Sequence, residues 1–205
     1  MPSNKFHIPY SVSRIQTLHP VILAVPEEVR AYKPRDRVVF LSRHARMALA
    51  KSAARSGIPL GELRQTQNGA PLPFDGTYWS ISHKPCYVTG VVAPWPIGID
   101  IEKIRPCASG LFEKTAGPAE WALAGTDPDS LTTFFRYWTA KEAVIKAAGT
   151  GLKDLLKCKI ITIVDDHRLT IRYADRDWRI EHFFFDGHIT SIVSNAQSIQ
   201  WSVKA

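Results

Sequence analysis

The chain has 205 residues, of which 45% are hydrophobic and 22% are charged, and it carries a formal net charge of +7 at pH 7. Its length allows one large domain or two small ones with a sizeable core. The three cysteines, Cys86, Cys107 and Cys158, form no paired motif, which argues against a disulfide framework or a zinc site and predicts free thiols. The positive charge favours an acidic partner, such as nucleic acid, a phosphate-rich small molecule or an acidic protein.

The N-terminal region is expected to contain neither a membrane span nor a signal peptide. Its longest apolar run, VILAV at 21–25, lies between two prolines and is far too short to cross a bilayer. No basic segment precedes a signal-like apolar core. We therefore expect a cytoplasmic protein without a membrane partner.

The first regular element predicted is a helix over 38–55, with Asp36 near its start and Gly57 just after its end. A loop rich in proline and glycine follows at 68–76. Three apolar segments then predict strands, at 78–82, 87–93 and 97–102.

The second part of the chain begins with two predicted helices. The shorter one lies within 118–125, with proline at its start and glycine at its end, and the longer one runs from about Ser130 to Ala148. Four β-rich segments follow, near 158–164, 168–173, 178–185 and 189–194. This order of elements predicts an α+β fold of two halves, residues 1–96 and 97–205.

The strand IGIDIE, at 97–102, carries two carboxylates. Asp100 and Glu102 are two residues apart, so a strand places them on one face about 7 Å from each other. Unpaired, they repel, and each raises the pKa of the other. A divalent cation removes this conflict, and oxygen ligands favour magnesium, calcium or manganese. The alternative is a polar strand face that meets water.

The longer helix contains a second polar group within YWTAKEAVIKAAG, at 137–149. Trp138, Glu142 and Lys146 follow each other at four-residue spacing and therefore share one side of the helix. Taken alone, Glu142 and Lys146 are an ordinary ion pair on a helix surface.

Together, the two motifs resemble those of the 4′-phosphopantetheinyl transferases. The combination is GID-x-E, a spacer of about 40 residues and W-x-x-K-E-x-x-x-K, and it is most similar to the single-chain, surfactin-synthetase-type group. SISH at 80–83 and, more loosely, SRHARMAL at 42–49 resemble further segments of that group. The resemblance covers roughly residues 40–152.

This resemblance implies a fold of two similar α+β halves that form an intramolecular pseudo-dimer, with a coenzyme A cleft between them. It implies a monomeric holo-[acyl-carrier-protein] synthase. Such an enzyme transfers the phosphopantetheine arm of coenzyme A to a serine of an apo acyl carrier protein or a peptidyl carrier domain, and it releases 3′,5′-ADP. The implied metal is magnesium, with manganese as the alternative ion.

Roles for individual residues follow from the resemblance. The implied metal ligands are Asp100, Glu102 and Glu142. The catalytic residues are Asp100, Glu142 and Lys146, with Glu142, or a water that it orients, taking the proton of the serine. The residues expected to bind coenzyme A are Arg43, Ser82, His83, Lys84, Lys141 and Lys146.

Lys141 and Glu120 each have two candidate roles. Lys141 either binds a phosphate or anchors its helix. Glu120 is a weaker second candidate for the base, and we interpret it as a solvated helix glutamate.

The sequence departs from this group at two places. A Gly-Lys-Pro or Gly-Arg-Pro triplet is replaced by Gly69-Ala70-Pro71, so one basic contact to the nucleotide is missing. Lys84-Pro85 replaces a Ser-Gly pair, which makes Lys84 a candidate substitute. The sequence does not identify which carrier protein is modified.

Two other functions compete with this one. The positive charge and the aromatic segments FFRYW and HFFF suit a basic module that binds nucleic acid. These aromatic residues nevertheless have core periodicity and the chain has no run of lysine or arginine, so we expect no nucleic-acid partner. A different magnesium-dependent phosphotransferase needs a glycine-rich phosphate loop, and GTGLK at 149–153 follows a helix rather than opening one.

Overall fold

The computed structural model describes residues 17–67, 69–125 and 130–204. The predicted loop at 68–76 begins at Asn68, which lies outside the described residues. The two predicted halves likewise include residues 1–16, 126–129 and 205, which also lie outside them.

Within residues 17–67 and 69–95, the structure contains one α-helix, four strands and a 3₁₀ helix. They are β1 (Thr17–Leu18), β2 (Val21–Ala24), a 3₁₀ helix (Glu27–Ala31), α1 (Pro34–Arg55), β3 (Tyr78–His83) and β4 (Tyr87–Ala93). The strand predicted at 87–93 is confirmed. Helix α1 begins four residues earlier than predicted, because Pro34 occupies its first position, where a fixed φ and a missing N–H carry no cost.

The described residues after these contain three α-helices, seven strands and a further 3₁₀ helix. They are β5 (Ile99–Lys103), α2 (Gly110–Thr115), α3 (Pro118–Ala122), α4 (Leu131–Ala148), a 3₁₀ helix (Leu152–Lys157), β6 (Lys159–Asp165), β7 (Arg168–Tyr173), β8 (Arg176–Phe185), β9 (His188–Val193), β10 (Ser198–Ile199) and β11 (Ser202–Lys204).

Helix α4 confirms the prediction for 130–148 because both of its ends are specified locally. The Ser130 side chain caps the first turn by accepting from the Thr133 backbone N–H, and Gly149 ends the helix at φ +70°. No helix in the described ranges is long and apolar enough to cross a membrane.

The strands form two main sheets. The first has the order β11-β2-β4-β3 and the second has the order β5-β9-β8-β7-β6, while β1 and β10 form a separate parallel pair. Neighbouring strands are antiparallel except β11, which runs parallel to β2. The molecule is thus a mixed α+β structure, as predicted.

Each sheet is covered by one long helix. Helix α1 buries Ala45 and Ala48 in a cluster with Val21 and Val88 of the first sheet. Helix α4 buries Tyr137, Ala140 and Val144 together with Ile99 and Ile192 of the second sheet. The C-terminal strand joins the N-terminal sheet, because β11 follows the second sheet in the chain yet pairs with β2 of the first. The division into residues 1–96 and 97–205 therefore stays a prediction.

Candidate active site

Strand β5 and helix α4 meet at close range, and this contact positions the site. Gly98 directly precedes β5, and a Cβ atom there would lie 1.8 Å from the carbonyl oxygen of Ala143. A larger residue is excluded, because the helix backbone occupies the space of its side chain. With β5 held against α4, Asp100 comes within bonding distance of Lys146.

Asp100 is buried and is held by two donors. Its Oδ1 atom accepts hydrogen bonds from the Ser82 hydroxyl and from the Lys146 ammonium group, each at 2.7 Å. Lys146 also donates to the carbonyl oxygen of Ile99 at 3.2 Å. The Oδ2 atom of Asp100 is buried and has no hydrogen-bond partner among the described residues. Burying a carboxylate oxygen without a partner costs free energy, so the Oδ2 atom of Asp100 is available to bind a cation or a hydrogen-bond donor.

Glu102 lies two residues further along β5 and is paired with Lys84. The distance from Lys84 Nζ to Glu102 Oε1 is 2.6 Å. The pKa of Glu102 is raised, mainly by burial and secondly by the negative charge of Asp100. The hydrogen bond and charge of Lys84 act in the opposite direction but are weaker. The spacing of Asp100 and Glu102 thus places both carboxylates in one electrostatic group, as the sequence predicts.

Glu142 of α4 completes this acidic group. The pKa of Glu142 is raised to about 7, mainly because the carboxyl is buried and secondly because of the negative charge of Asp100. Glu142 lines a cavity of about 240 Å³, which it shares with Ser80, Ile81 and Lys146. A carboxylate with a pKa near neutrality is suited to accept a proton at neutral pH.

His83, the last residue of β3, belongs to the same group. The pKa of His83 is lowered, mainly by burial and secondly by the positive charges of Lys146 and Lys84. The ring is therefore neutral at pH 7. The structure therefore brings together seven of the residues predicted from the sequence, which are Ser82, His83, Lys84, Asp100, Glu102, Glu142 and Lys146.

The carboxylates do not form the predicted three-ligand metal site in this arrangement. The free Oδ2 atom of Asp100 suits a cation, but Glu102 is engaged by Lys84. Within the described parts of the chain, no three His, Cys, Asp or Glu side chains are arranged to hold a metal ion. Lys84 and Lys146 supply the positive charge beside the carboxylates instead. The ligand set Asp100, Glu102 and Glu142 stays a prediction.

Lys141 is placed away from this group. Neighbouring residues on a helix differ by about 100° in direction, so Lys141 points away from Glu142. It is fully buried, donates to the carbonyl oxygen of Thr115 at 2.8 Å and pairs with Glu120 at 2.6 Å. Of its two predicted roles, anchoring the helix agrees with this placement, and binding a coenzyme A phosphate does not.

The interpretation of Glu120 as a solvated glutamate is wrong. Glu120 is 5% exposed and accepts hydrogen bonds from Lys141 and from the backbone N–H groups of Gly117 and Ile160. Although burial opposes the effect, these hydrogen bonds lower the pKa of Glu120. Since Glu120 stays ionised and its oxygens are occupied, it is a poor candidate for a base.

The N-terminal helix places a different arginine near the cavity from the one predicted. Arg43 is exposed, and the structure gives it no hydrogen bond or ion pair within residues 17–67, 69–125 and 130–204. Arg46 donates to the side chain of Gln65, which lines the cavity together with Ala70. Sequence reasoning missed Arg46, although the segment SRHARMAL contains both arginines. The position of Ala70 confirms that no basic side chain enters the cavity from that residue.

Comparison with known proteins assigns this region to a family. The family model of the 4′-phosphopantetheinyl transferase superfamily matches residues 96–196. The matched segment contains β5 and α4, and with them Asp100, Glu102, Glu142 and Lys146. The match to the 4′-phosphopantetheinyl transferase superfamily over these residues confirms the resemblance seen in the sequence.

Several curated proteins are similar to the chain. A 4′-phosphopantetheinyl transferase of Bacillus subtilis is 34% identical over 100 residues, which are 48% of this chain and 45% of that protein. The 4′-phosphopantetheinyl transferase HetI of Nostoc sp. is 41% identical over 143 residues, which are 61% of this chain and 60% of that protein. A putative 4′-phosphopantetheinyl transferase of Haemophilus influenzae is 33% identical over 115 residues, 52% of this chain and 48% of that protein. The chain thus spans about half the length of the curated relatives that it matches.

Proposed function

We propose that this protein transfers the 4′-phosphopantetheine arm of coenzyme A to a serine of an apo acyl carrier protein or peptidyl carrier domain. The family assignment of residues 96–196 supports this activity. The observation that carries the proposal is the position of Glu142, a carboxylate with a pKa of about 7 that lines a cavity beside Lys146.

The reaction exchanges one phosphorus–oxygen bond for another. The serine oxygen attacks the phosphorus that bears the pantetheine arm, and the bond from that phosphorus to the bridging oxygen of the pyrophosphate breaks. The pyrophosphate oxygen leaves with 3′,5′-ADP, and the serine proton must be removed. Such a step needs a positioned base and positive charge on the phosphate oxygens.

Glu142 is the base in this scheme. With a pKa of about 7, a substantial fraction of Glu142 is ionised at neutral pH, and its conjugate acid is weak enough to retain the proton that it takes. Beside it, the Oδ1 atom of Asp100 accepts hydrogen bonds from both Lys146 and Ser82.

Lys146 provides the positive charge. Lys146 lines the cavity and its side chain is 27% exposed, so it can contact a phosphate while staying near Asp100. His83 flanks the same group and is the neutral donor that we assign to the coenzyme A phosphates, whereas the single hydrogen of the Ser82 hydroxyl is donated to Asp100.

We also propose that the molecule is an intramolecular pseudo-dimer of two similar α+β halves. In each sheet, a strand that precedes the long helix pairs antiparallel with the second strand of a later hairpin. In the first sheet these are β2 and β4, with β3 completing the hairpin. In the second they are β5 and β9, with β8 completing it. This shared order supports an internal repeat that the residues themselves do not reveal.

The predicted monomeric state, the cytoplasmic location and the magnesium requirement stay proposals. The alternative function, binding of nucleic acid, loses one of its supports in the structure. Phe134 and Phe135 of the FFRYW segment are almost fully buried in the core, and so is Tyr137, which removes them as platforms for stacking bases.

Mass spectrometry of candidate apo-carrier proteins tests the proposed function. Each carrier is incubated with the protein, coenzyme A and magnesium, and the expected product has gained the mass of one phosphopantetheine arm at its serine. A carrier with that serine replaced by alanine and a reaction without coenzyme A are the controls. If no member of a panel of fatty-acid, polyketide and peptide-synthetase carriers is modified, the proposed activity is wrong.

A further inference from the structure

Two lysines from different elements cover the two carboxylates of β5. Lys84 follows β3 and pairs with Glu102 at 2.6 Å, while Lys146 of α4 pairs with Asp100 at 2.7 Å. Two cations thus compensate two carboxylates before any ligand is considered. Glu102 is consequently not free to ligate an ion, in agreement with the absence of a three-residue metal cluster among the described residues.

We propose that Lys84 is an internal counter-cation that competes with a divalent metal ion for Glu102, and that the phosphates of coenzyme A release Glu102 by attracting Lys84. The proposal rests on the proposed function, since it assigns Lys84 to the binding of that reaction's two charged ligands. It makes Lys84 a positioning residue that couples the binding of metal to the binding of the nucleotide.

Lys84 is better placed than Lys146 for such an exchange. Lys146 has two partners, the Asp100 carboxylate and the carbonyl oxygen of Ile99. The ammonium group of Lys84 has Glu102 as its one partner within the described residues, and its side chain is 35% exposed. A long, half-exposed lysine side chain moves to a new anion with little loss of packing.

The backbone at Lys84 is fixed, so the exchange needs only the side chain to move. The N–H group of Lys84 donates to the carbonyl oxygen of Tyr87 at 2.8 Å, which closes the turn between β3 and β4. The neighbouring residues Ser82 and His83 belong to the candidate site, so a phosphate bound there lies within reach of Lys84. A phosphate group offers a lysine a more highly charged partner than a single carboxylate does.

This arrangement has a thermodynamic consequence. If coenzyme A frees Glu102, it strengthens metal binding, and by linkage the metal strengthens coenzyme A binding by the same factor. Without Lys84, the acidic group is already free, so the metal binds tightly alone and gains less from coenzyme A. Direct contact between metal and pyrophosphate leaves some coupling in either case.

Titration calorimetry with Mn²⁺ and no nucleotide tests the competition. We expect Lys84→Met to lower the Kd for Mn²⁺ by about tenfold or more, because a positive charge next to the ligand set has been removed. Lys103→Met is the matched control. It removes one positive charge from the exposed end of the same strand, where the structure shows no ion pair among the described residues, and the expected change is less than about threefold. Equal changes in both variants, or weaker Mn²⁺ binding by Lys84→Met, would overturn the proposal.

A second titration, with coenzyme A at saturation, tests the coupling. The Kd for Mn²⁺ is expected to fall strongly on addition of coenzyme A for the wild type and clearly less for Lys84→Met. The same fall in both proteins would mean that Lys84 does not mediate the coupling. Lys84→Gln provides a second variant, and circular dichroism confirms that each variant is folded.

These measurements are independent of carrier modification. A protein that modifies a carrier but whose Mn²⁺ affinity ignores Lys84 retains the proposed function and loses this inference. A protein that shows the exchange but modifies no carrier loses the proposed function, and the competition at Glu102 still stands.

Discussion

Two lysines of helix α4 each form an ion pair with a carboxylate of another element, and the two pairs are alike in chemistry but differ in role. Lys141 contacts Glu120 at 2.6 Å, and Lys146 contacts Asp100 at 2.7 Å. The two lysines are five residues apart, so they point to different sides of the helix. The distance between the charges does not distinguish the pairs.

The surroundings of the two pairs do distinguish them. Both oxygens of Glu120 accept hydrogen bonds from the backbone, and Lys141 is 0% exposed, which leaves no capacity for a ligand. Asp100 has an oxygen without a partner among the described residues, and Lys146 borders a cavity. A buried ion pair that is fully satisfied fixes the structure, whereas an unsatisfied pair beside a cavity is available for chemistry.

The largest expected effect concerns Glu142, next to the second pair. Glu142→Gln removes the proposed base while preserving shape, so the turnover number should fall about 10²- to 10⁴-fold. The free energy of unfolding at neutral pH should not decrease, because a strained carboxylate is replaced by a neutral amide. The measurement is single-turnover modification of a carrier, with urea denaturation alongside it.

Glu120→Gln is the matched control for this experiment. It should lower stability, because the fully bonded carboxylate is lost, and its effect on the turnover number should be far smaller than that of Glu142→Gln. Wild-type turnover by Glu142→Gln would place the base elsewhere.

Removing Lys141 should produce the largest loss of stability. Lys141→Met leaves the Glu120 carboxylate buried without its cation, and we expect the free energy of unfolding to fall by about 3–5 kcal/mol. Lys146→Met should cost less, because Lys146 is partly exposed and Asp100 retains the hydrogen bond from Ser82. Urea denaturation of both variants measures the difference.

A double variant checks this explanation. Adding Glu120→Leu to Lys141→Met removes the uncompensated charge and should restore part of the lost stability. Equal losses in Lys141→Met and Lys146→Met would contradict the distinction between the two pairs.

The two carboxylates should also respond oppositely to pH. The folded protein raises the pKa of Glu142 from 4.5 to about 7, so it favours the protonated form. The contribution of Glu142 to stability is therefore complete below pH 4.5 and is lost as the pH rises through 7. The stability gained from Glu142→Gln should grow from near zero in acid to about 2 kcal/mol in mild alkali, after allowance for solvent screening.

Glu120 should show the reverse behaviour. The pKa of Glu120 is lowered, so its contribution to stability is present above its ordinary pKa and is lost as the pH falls through the lowered value. The cost of Glu120→Gln should accordingly be greatest at neutral pH. Thermal denaturation over a pH series, with a chelator present, measures both. Parallel pH profiles for the two variants would show that the sites are not distinct.

The smallest expected effect is that of salt, which screens the long-range attraction between charged surfaces more than it weakens a buried ion pair. The chain has a net charge of +7, so its encounter with an acidic carrier should be slowed about severalfold by physiological salt, where the screening length is about 8 Å. The buried Lys141–Glu120 pair should be nearly insensitive to salt. The measurement is kcat/KM for the carrier and the stability cost of Lys141→Met, each over a salt series. If kcat/KM is unaffected, docking depends on apolar contacts.

The sequence by itself determined the elements whose causes are local. Helix α4 is capped by Ser130 and ended by Gly149, and the strand at 87–93 is rich in β-branched and aromatic residues, so both were predicted within a residue or two. The placement of Asp100 and Glu102 on one strand, and of Glu142 and Lys146 on one helix, also depends on local spacing alone. The structure brings the residues of these motifs together, and their functional roles stay a prediction.

Only the tertiary structure decided how distant residues are paired. Strand β11 pairs with β2, which lies near the other end of the described chain, and the burial of Glu120 depends on Lys141 and Ile160. The engagement of Glu102 by Lys84 likewise depends on how β3 lies beside β5. In the sequence, Glu120 and Glu102 are both acidic residues next to apolar ones. What separates an anchored carboxylate from a reactive one is the number of donors that folding brings to it, and that number is a property of long-range contacts.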